Sequence, residues 1–140
     1  MKNVQKVNRK YNYADLDLDF LAHPTTGDIV RKTGEDAIKR SIRNLVLTNF
    51  YERKFRHYIG SNTTRLLFEL PNAFTANYLK DAIREVVTNY EPRVKLFSNE
   101  ENGVVVAISN DNNGYVARLS YIIVNTGAPA TVSFFLERLR

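Results

Sequence analysis

The feature that most constrains this chain is the change of periodicity across Glu91-Pro92-Arg93. Upstream, Leu79, Ile83, Val86, Val87 and Tyr90 recur at helical spacing, so one apolar helix face runs to this point. Pro92 cannot continue that helix, because it lacks an N–H and disfavours the α conformation at Glu91. Downstream, Val94 and Leu96 open a two-residue alternation, the period of a strand. An acid and a base are thus fixed on a corner between helix and sheet. They are either a local brace or a docking point.

Three turn clusters, Asn99–Gly103, Asn110–Gly114 and Thr126–Pro129, divide the C-terminal part into four candidate strands. These are about Arg93–Ser98, Val104–Ser109, Tyr115–Asn125 and Ala130–Leu139. Loops this short favour antiparallel neighbours, since parallel ones need long crossovers. Before the corner, two long helices are expected. Thr33 is placed to cap the first, about Glu35–Asn49, whose stripe is Ile38, Ile42, Leu45 and Val46. Asn72 is placed to cap the second, about Phe74–Tyr90, after Leu70-Pro71 breaks the chain. Between them, Phe50, Tyr51, Phe55 and Tyr58 alternate with charges up to the turn Gly60-Ser61-Asn62, and Leu66-Leu67-Phe68 reads as a helical turn. The fold class is α+β: two main helices, then an antiparallel β-meander of three to four strands.

Residues 1–34 read as an irregular arm and 35–140 as one domain. In the arm, Asp15, Asp17 and Asp19 alternate with Leu16, Leu18 and Phe20, an extended pattern with one apolar side. His23-Pro24-Thr25-Thr26-Gly27-Asp28 is turn chemistry.

Composition narrows the function classes. With no Cys, neither disulfides nor thiolate metal sites are available, and His23 and His57 lie in different segments without clustered ligands. The three aspartates lack the glycine and closing glutamate of an EF-hand loop. No metal or cofactor is expected. No apolar run approaches a membrane span, and the basic N-terminus has no apolar core behind it, so the protein reads as intracellular or particle-bound. The net charge of +5 permits nucleic-acid contact, but cations and acids are interspersed, the habit of a solvated surface. No phosphate loop or nucleophile elbow is present. Glu52 beside Arg53, and Glu91 beside Arg93, would stay ionised, whereas a glycosidase acid needs a raised pKa.

Several segments, in order, resemble the baseplate wedge and sheath-initiator family of contractile phage tails, shared with the type VI secretion baseplate. They begin with Asp15-Leu16-Asp17-Leu18-Asp19-Phe20, Thr26-Gly27-Asp28 and the run Ala37–Thr48. Tyr51-Glu52-Arg53 with Phe55, Ile59-Gly60-Ser61, Leu66-Leu67-Phe68-Glu69 and Tyr90-Glu91-Pro92-Arg93-Val94 follow. The family often has Gly where Tyr51 stands here.

The resemblance implies a structural subunit, not an enzyme. It would sit in the virion tail baseplate in several copies around the tube, assembled in the host cytoplasm. Its partners would be other wedge and hub proteins and the tail sheath, with neither nucleic acid nor membrane. Glu91, Pro92 and Arg93 would bind the baseplate core. The terminal strand, through Thr131, Val132, Ser133, Phe134, Phe135, Leu136 and Glu137, would pair with a sheath strand by β-augmentation and so initiate sheath assembly. The alternatives are a lysozyme-like peptidoglycan muramidase, a label the family has carried, and a basic nucleic-acid-binding module.

Overall fold

The computed structural model describes residues 13–17, 20–98, 103–109 and 113–139. The chain divides into two compact units, Met1–Ile38 and Lys39–Arg140. In the first, β1 (Ala14–Leu16) pairs antiparallel with β2 (Arg31–Thr33). Between them the expected turn is present, with the Gly27 N–H donating to the His23 carbonyl at 2.9 Å. The expected apolar side is not. Leu16 and Phe20 are exposed, while Asp17 is buried and meets Lys32 Nζ at 3.3 Å. Its own N–H is tied to the Val30 carbonyl, so the ion pair and backbone bond set the orientation rather than alternation. Leu18 and Asp19 lie outside the described residues.

Helix α1 is Glu35–Leu47. Thr33 does not cap it, because Thr33 is held in β2 opposite Ala14. Gly34, at φ 59°, leads the helix instead, its carbonyl accepting the Ile38 N–H. The expected stripe of Ile38, Ile42, Leu45 and Val46 is buried.

In the second unit, α2 is the single turn Thr63–Leu66 and α3 runs Ala73–Tyr90. Asn72 caps α3 as its residue type predicts, Oδ1 accepting the Thr75 N–H at 2.7 Å. Ala76, Leu79, Ile83, Val86 and Val87 form the buried face of α3, which packs against the sheet. Burying its four larger side chains contributes roughly 8 kcal/mol before chain entropy is counted.

The sheet contains β3 (Val94–Leu96), β4 (Val104–Ser109), β5 (Gly114–Ile123) and β6 (Pro129–Glu137). β5 is its centre. β6 lines one edge of β5 from Gly114 to Ile122. Both β3, paired to Tyr121–Ile123, and β4, paired to Gly114–Leu119, therefore take the opposite edge in succession. β3 and β4 run in the same direction along that edge and do not pair with each other as a hairpin. The meander is α+β as expected, with three strand positions filled by four strands.

Alternation sets the faces. Tyr115, Ala117, Leu119, Tyr121 and Ile123 of β5 are buried, with Ala130, Phe134 and Leu136 of β6 beside them. Thr131, Ser133, Phe135 and Glu137 point to the opposite, exposed face. There the Phe135 ring lies over Gly114, where a Cβ would fall 2.6 Å from Phe135 Cζ.

Candidate functional site

The corner is built by the end of α3. Glu91 has left the helix (φ −121°, ψ 78°), as a residue preceding proline must, yet its N–H still donates to the Val87 carbonyl. The Val94 N–H returns to the Glu91 carbonyl at 3.3 Å, closing a turn over Pro92 and Arg93. The Arg93 carbonyl accepts the Val124 N–H at 2.9 Å, fastening the turn to the end of β5.

The side chains form a fork. Arg93 Nε donates to Glu91 Oε1, and Arg93 Nη2 donates to Oε2 at 2.6 Å. Ser41 of α1 donates its hydroxyl to the same Oε2, also at 2.6 Å. Glu91 is only 2% exposed, while the Arg93 side chain is 26% exposed and Pro92 is at the surface. Burial opposes ionisation of Glu91 and is the largest single influence on it. The Arg93 hydrogen bonds, the Ser41 hydroxyl and the Arg93 charge together outweigh it, and hold the carboxyl below its ordinary value of 4.5. A carboxyl so held is an acceptor at neutral pH and cannot act as a general acid. An exposed pair of this kind would be worth about 0–1 kcal/mol. With Glu91 buried, the pair becomes a structural element of much larger consequence if broken.

The second candidate surface is the outer edge of β6. Arg138 N–H donates to the Asn113 carbonyl and Ile123 N–H to the Ala128 carbonyl. In an antiparallel ladder the bonded pairs alternate, so Ala130, Val132, Phe134 and Leu136 direct their backbone groups at β5. Thr131, Ser133, Phe135 and Glu137 direct theirs outward. Among the described residues no strand pairs with that edge. Just beyond it, the Leu139 N–H binds the Leu67 carbonyl, anchoring the end of the chain to the turn after α2.

A third feature escaped the sequence reading of function. Asn49–Ser61 leaves α1 and returns to it, closed by a bridge between Asn49 and Ser61 and by the Ser61 N–H on the Thr48 carbonyl. Ser61 Oγ also donates to the Val46 carbonyl, and the Tyr90 hydroxyl donates to the Tyr58 carbonyl at 2.8 Å. Tyr51 (φ 67°) and Phe55 (φ 68°) hold the left-handed conformation, which costs a bulky L-residue about 1–2 kcal/mol. Tyr51 occupies the position where the resembling family often has Gly, and it keeps the glycine-like backbone. Its ring stacks on His57 at 5.8 Å between centroids and 9° between planes. Phe50, Tyr51, His57, Tyr58 and Arg65 surround an open recess of about 650 Å³. The only available signal was the mixture of rings and cations in a segment without apolar periodicity.

Among the described residues no group of His, Asp or Glu is arranged to hold a metal ion, and no helix is long and apolar enough to cross a membrane.

The family described as Baseplate wedge protein gp25 matches residues 32–126, and the chain belongs to it. It is 30% identical over 94 residues to the baseplate wedge protein gp25 of Enterobacteria phage T4, an alignment spanning 67% of each chain. Solved structures share the fold at lower identity. A putative tail lysozyme from Geobacter sulfurreducens superposes with a TM-score of 0.68 at 20% identity, covering 79% of this chain and 96% of that one. A chain of the anti-feeding prophage baseplate gives 0.58 at 17% identity, covering 91% of this chain and 87% of the other. A chain of the post-contraction pyocin R2 baseplate gives 0.51 at 15% identity, covering 89% and 99%.

Proposed function

We propose that this chain is a non-enzymatic structural subunit of a contractile-tail baseplate that links wedge and hub proteins to the tail sheath and starts sheath assembly. The observation that carries this reading is the outer edge of β6, nine residues long and unpaired among the described residues. Thr131, Ser133, Phe135 and Glu137 offer alternating N–H and C=O groups there, the template for β-augmentation by a sheath strand. Val132, Phe134 and Leu136 face the other way and hold the template to the core. Residues 1–34 serve as an arm, and 35–140 as the wedge domain.

In this reading Glu91 does not itself touch the baseplate core. It is buried and acts by holding Arg93, whose guanidinium and the adjacent Pro92 form the accessible part of the corner. Bracing and docking are then one device: the carboxylate fixes the angle at which the cation is presented. The lowered pKa of Glu91 argues against a muramidase acid at this position. The protein belongs, in this reading, to the virion tail baseplate, in several copies assembled in the host cytoplasm.

The test is a proline on the strand. Ser133→Pro removes an outward N–H and leaves the ladder to β5 intact, a position an edge strand tolerates. Baseplates should incorporate the variant but carry no extended sheath. Sheaths of normal length on baseplates that contain the variant would sink the strand-template reading. Val132→Pro, which breaks the ladder inward, is the control for a folding defect.

A further inference from the structure

The loop Asn49–Ser61 keeps two aromatic rings in solvent at a conformational cost. Phe55 is 98% exposed and Tyr51 81% exposed, and both sit on left-handed backbone that glycine would adopt without strain. Neither ring is recompensed by burial in the core. Strain held at an exposed aromatic residue is a mark of a binding surface rather than of a folding requirement.

The same loop is basic. Arg53, Lys54 and Arg56 are exposed, Arg65 lines the recess, and none of the four is in an ion pair among the described residues. The one acid, Glu52, is engaged locally, its Oε2 accepting the Asn49 N–H at 2.7 Å. The rings do not form a row of free parallel faces, as a single-stranded nucleic acid would need. One face of His57 is stacked by Tyr51, and Tyr58 meets it edge-on at 82°. They line an open recess together with the polar Ser61 and Asn62 instead. Arg65 is the guanidinium that lines the recess, with Arg53, Lys54 and Arg56 exposed on the loop. Guanidinium groups suit carboxylates, which they bind in forked pairs.

We propose that this recess receives an acidic peptide segment of a neighbouring baseplate protein. An apolar side chain of that segment enters between Tyr51 and Tyr58, and its carboxylates meet Arg65 and the loop cations. The class of partner rests on the baseplate reading above; the shape and charge of the recess do not.

The test places a benzophenone side chain at Phe55, where nearly complete exposure leaves the fold undisturbed, and irradiates purified tail particles assembled with the full-length chain. The expected adduct is to another protein of the particle, on a segment with excess Asp and Glu. Arg53→Glu with Arg56→Glu should lower the adduct yield about ten-fold while thermal unfolding of the isolated chain is unchanged. Tyr51→Gly should lower it as well, without loss of stability. An adduct to nucleic acid, to a neutral or basic segment, or none in particles that contain the chain overturns the inference. So does an undiminished adduct in the charge reversal. Absence of the chain from purified particles would instead overturn the baseplate reading, and with it the class of partner.

Discussion

Gly60 lies against the backbone of Asn49 so closely that a Cβ at position 60 would fall 2.5 Å from the Asn49 carbonyl carbon. The Phe50 nitrogen stands at the same distance, so the obstruction is main chain on both counts and cannot turn aside. This contact lets the loop Asn49–Ser61 close on the end of α1. Gly60→Ala should therefore cost about 3 kcal/mol, at the upper end of overpacking penalties, read as a lower urea midpoint at constant slope. A loss below about 0.5 kcal/mol would mean that the loop opens without penalty.

The buried fork sets a second expectation. Arg93→Ala leaves the Glu91 carboxylate with the Ser41 hydroxyl and the backbone N–H of residue 93 but no cation, and should cost roughly 3 kcal/mol. Glu91→Gln should cost less, since a neutral amide can be buried without an ionic partner.

The fork also makes stability depend on pH. The folded-state pKa of Glu91 is depressed, so its contribution is fully present above the ordinary value of 4.5 and is lost as pH falls through the folded value. Wild type should lose stability on acidification in that window. Glu91→Gln should lose less of it, the difference appearing only below about pH 5. Parallel curves for the two proteins would remove Glu91 from the account.

Asn72 is a cap with a single measurable bond. Asn72→Ala should destabilise by about 1 kcal/mol and Asn72→Asp should be close to neutral. Equal losses in both variants would show that the packing of the amide, not the bond to Thr75, is what matters.

The Tyr115 hydroxyl is buried in the core without a hydrogen-bond partner among the described residues. An unmet buried hydroxyl opposes folding, so Tyr115→Phe should leave stability unchanged or raise it by about 1 kcal/mol. Thermal unfolding decides it. A fall of that size would reveal a bound water or a partner for the hydroxyl.

What could be read beforehand divides by range. The Asn72 cap, the stop at Pro92 and the alternation of β5 and β6 depend on neighbours within a few residues, and the sequence displayed them. The place of β3 and β4 on one edge of β5 did not show, because turn residues mark where a strand stops and not what it next lies beside. Thr33 has the right residue type for a cap but is claimed by its pairing with Ala14. The acid–base pair at the corner was visible, whereas the burial of Glu91 depends on Ser41, fifty residues away along the chain. The left-handed backbone of Tyr51 ran against residue preference, and no local rule would place it there.

The sharing of one edge of β5 by two strands has a consequence for assembly. With both sides of β5 filled, the sheet meets the outside through two margins of unequal quality. Among the described residues the β6 margin is one strand of nine residues, and the other is shared by the three residues of β3 and the six of β4. Under the strand-template proposal, two margins of unequal length let a sheath strand join in a single sense. On that proposal, direction is inherited from the register of a strand pair, without any side chain dedicated to recognising it.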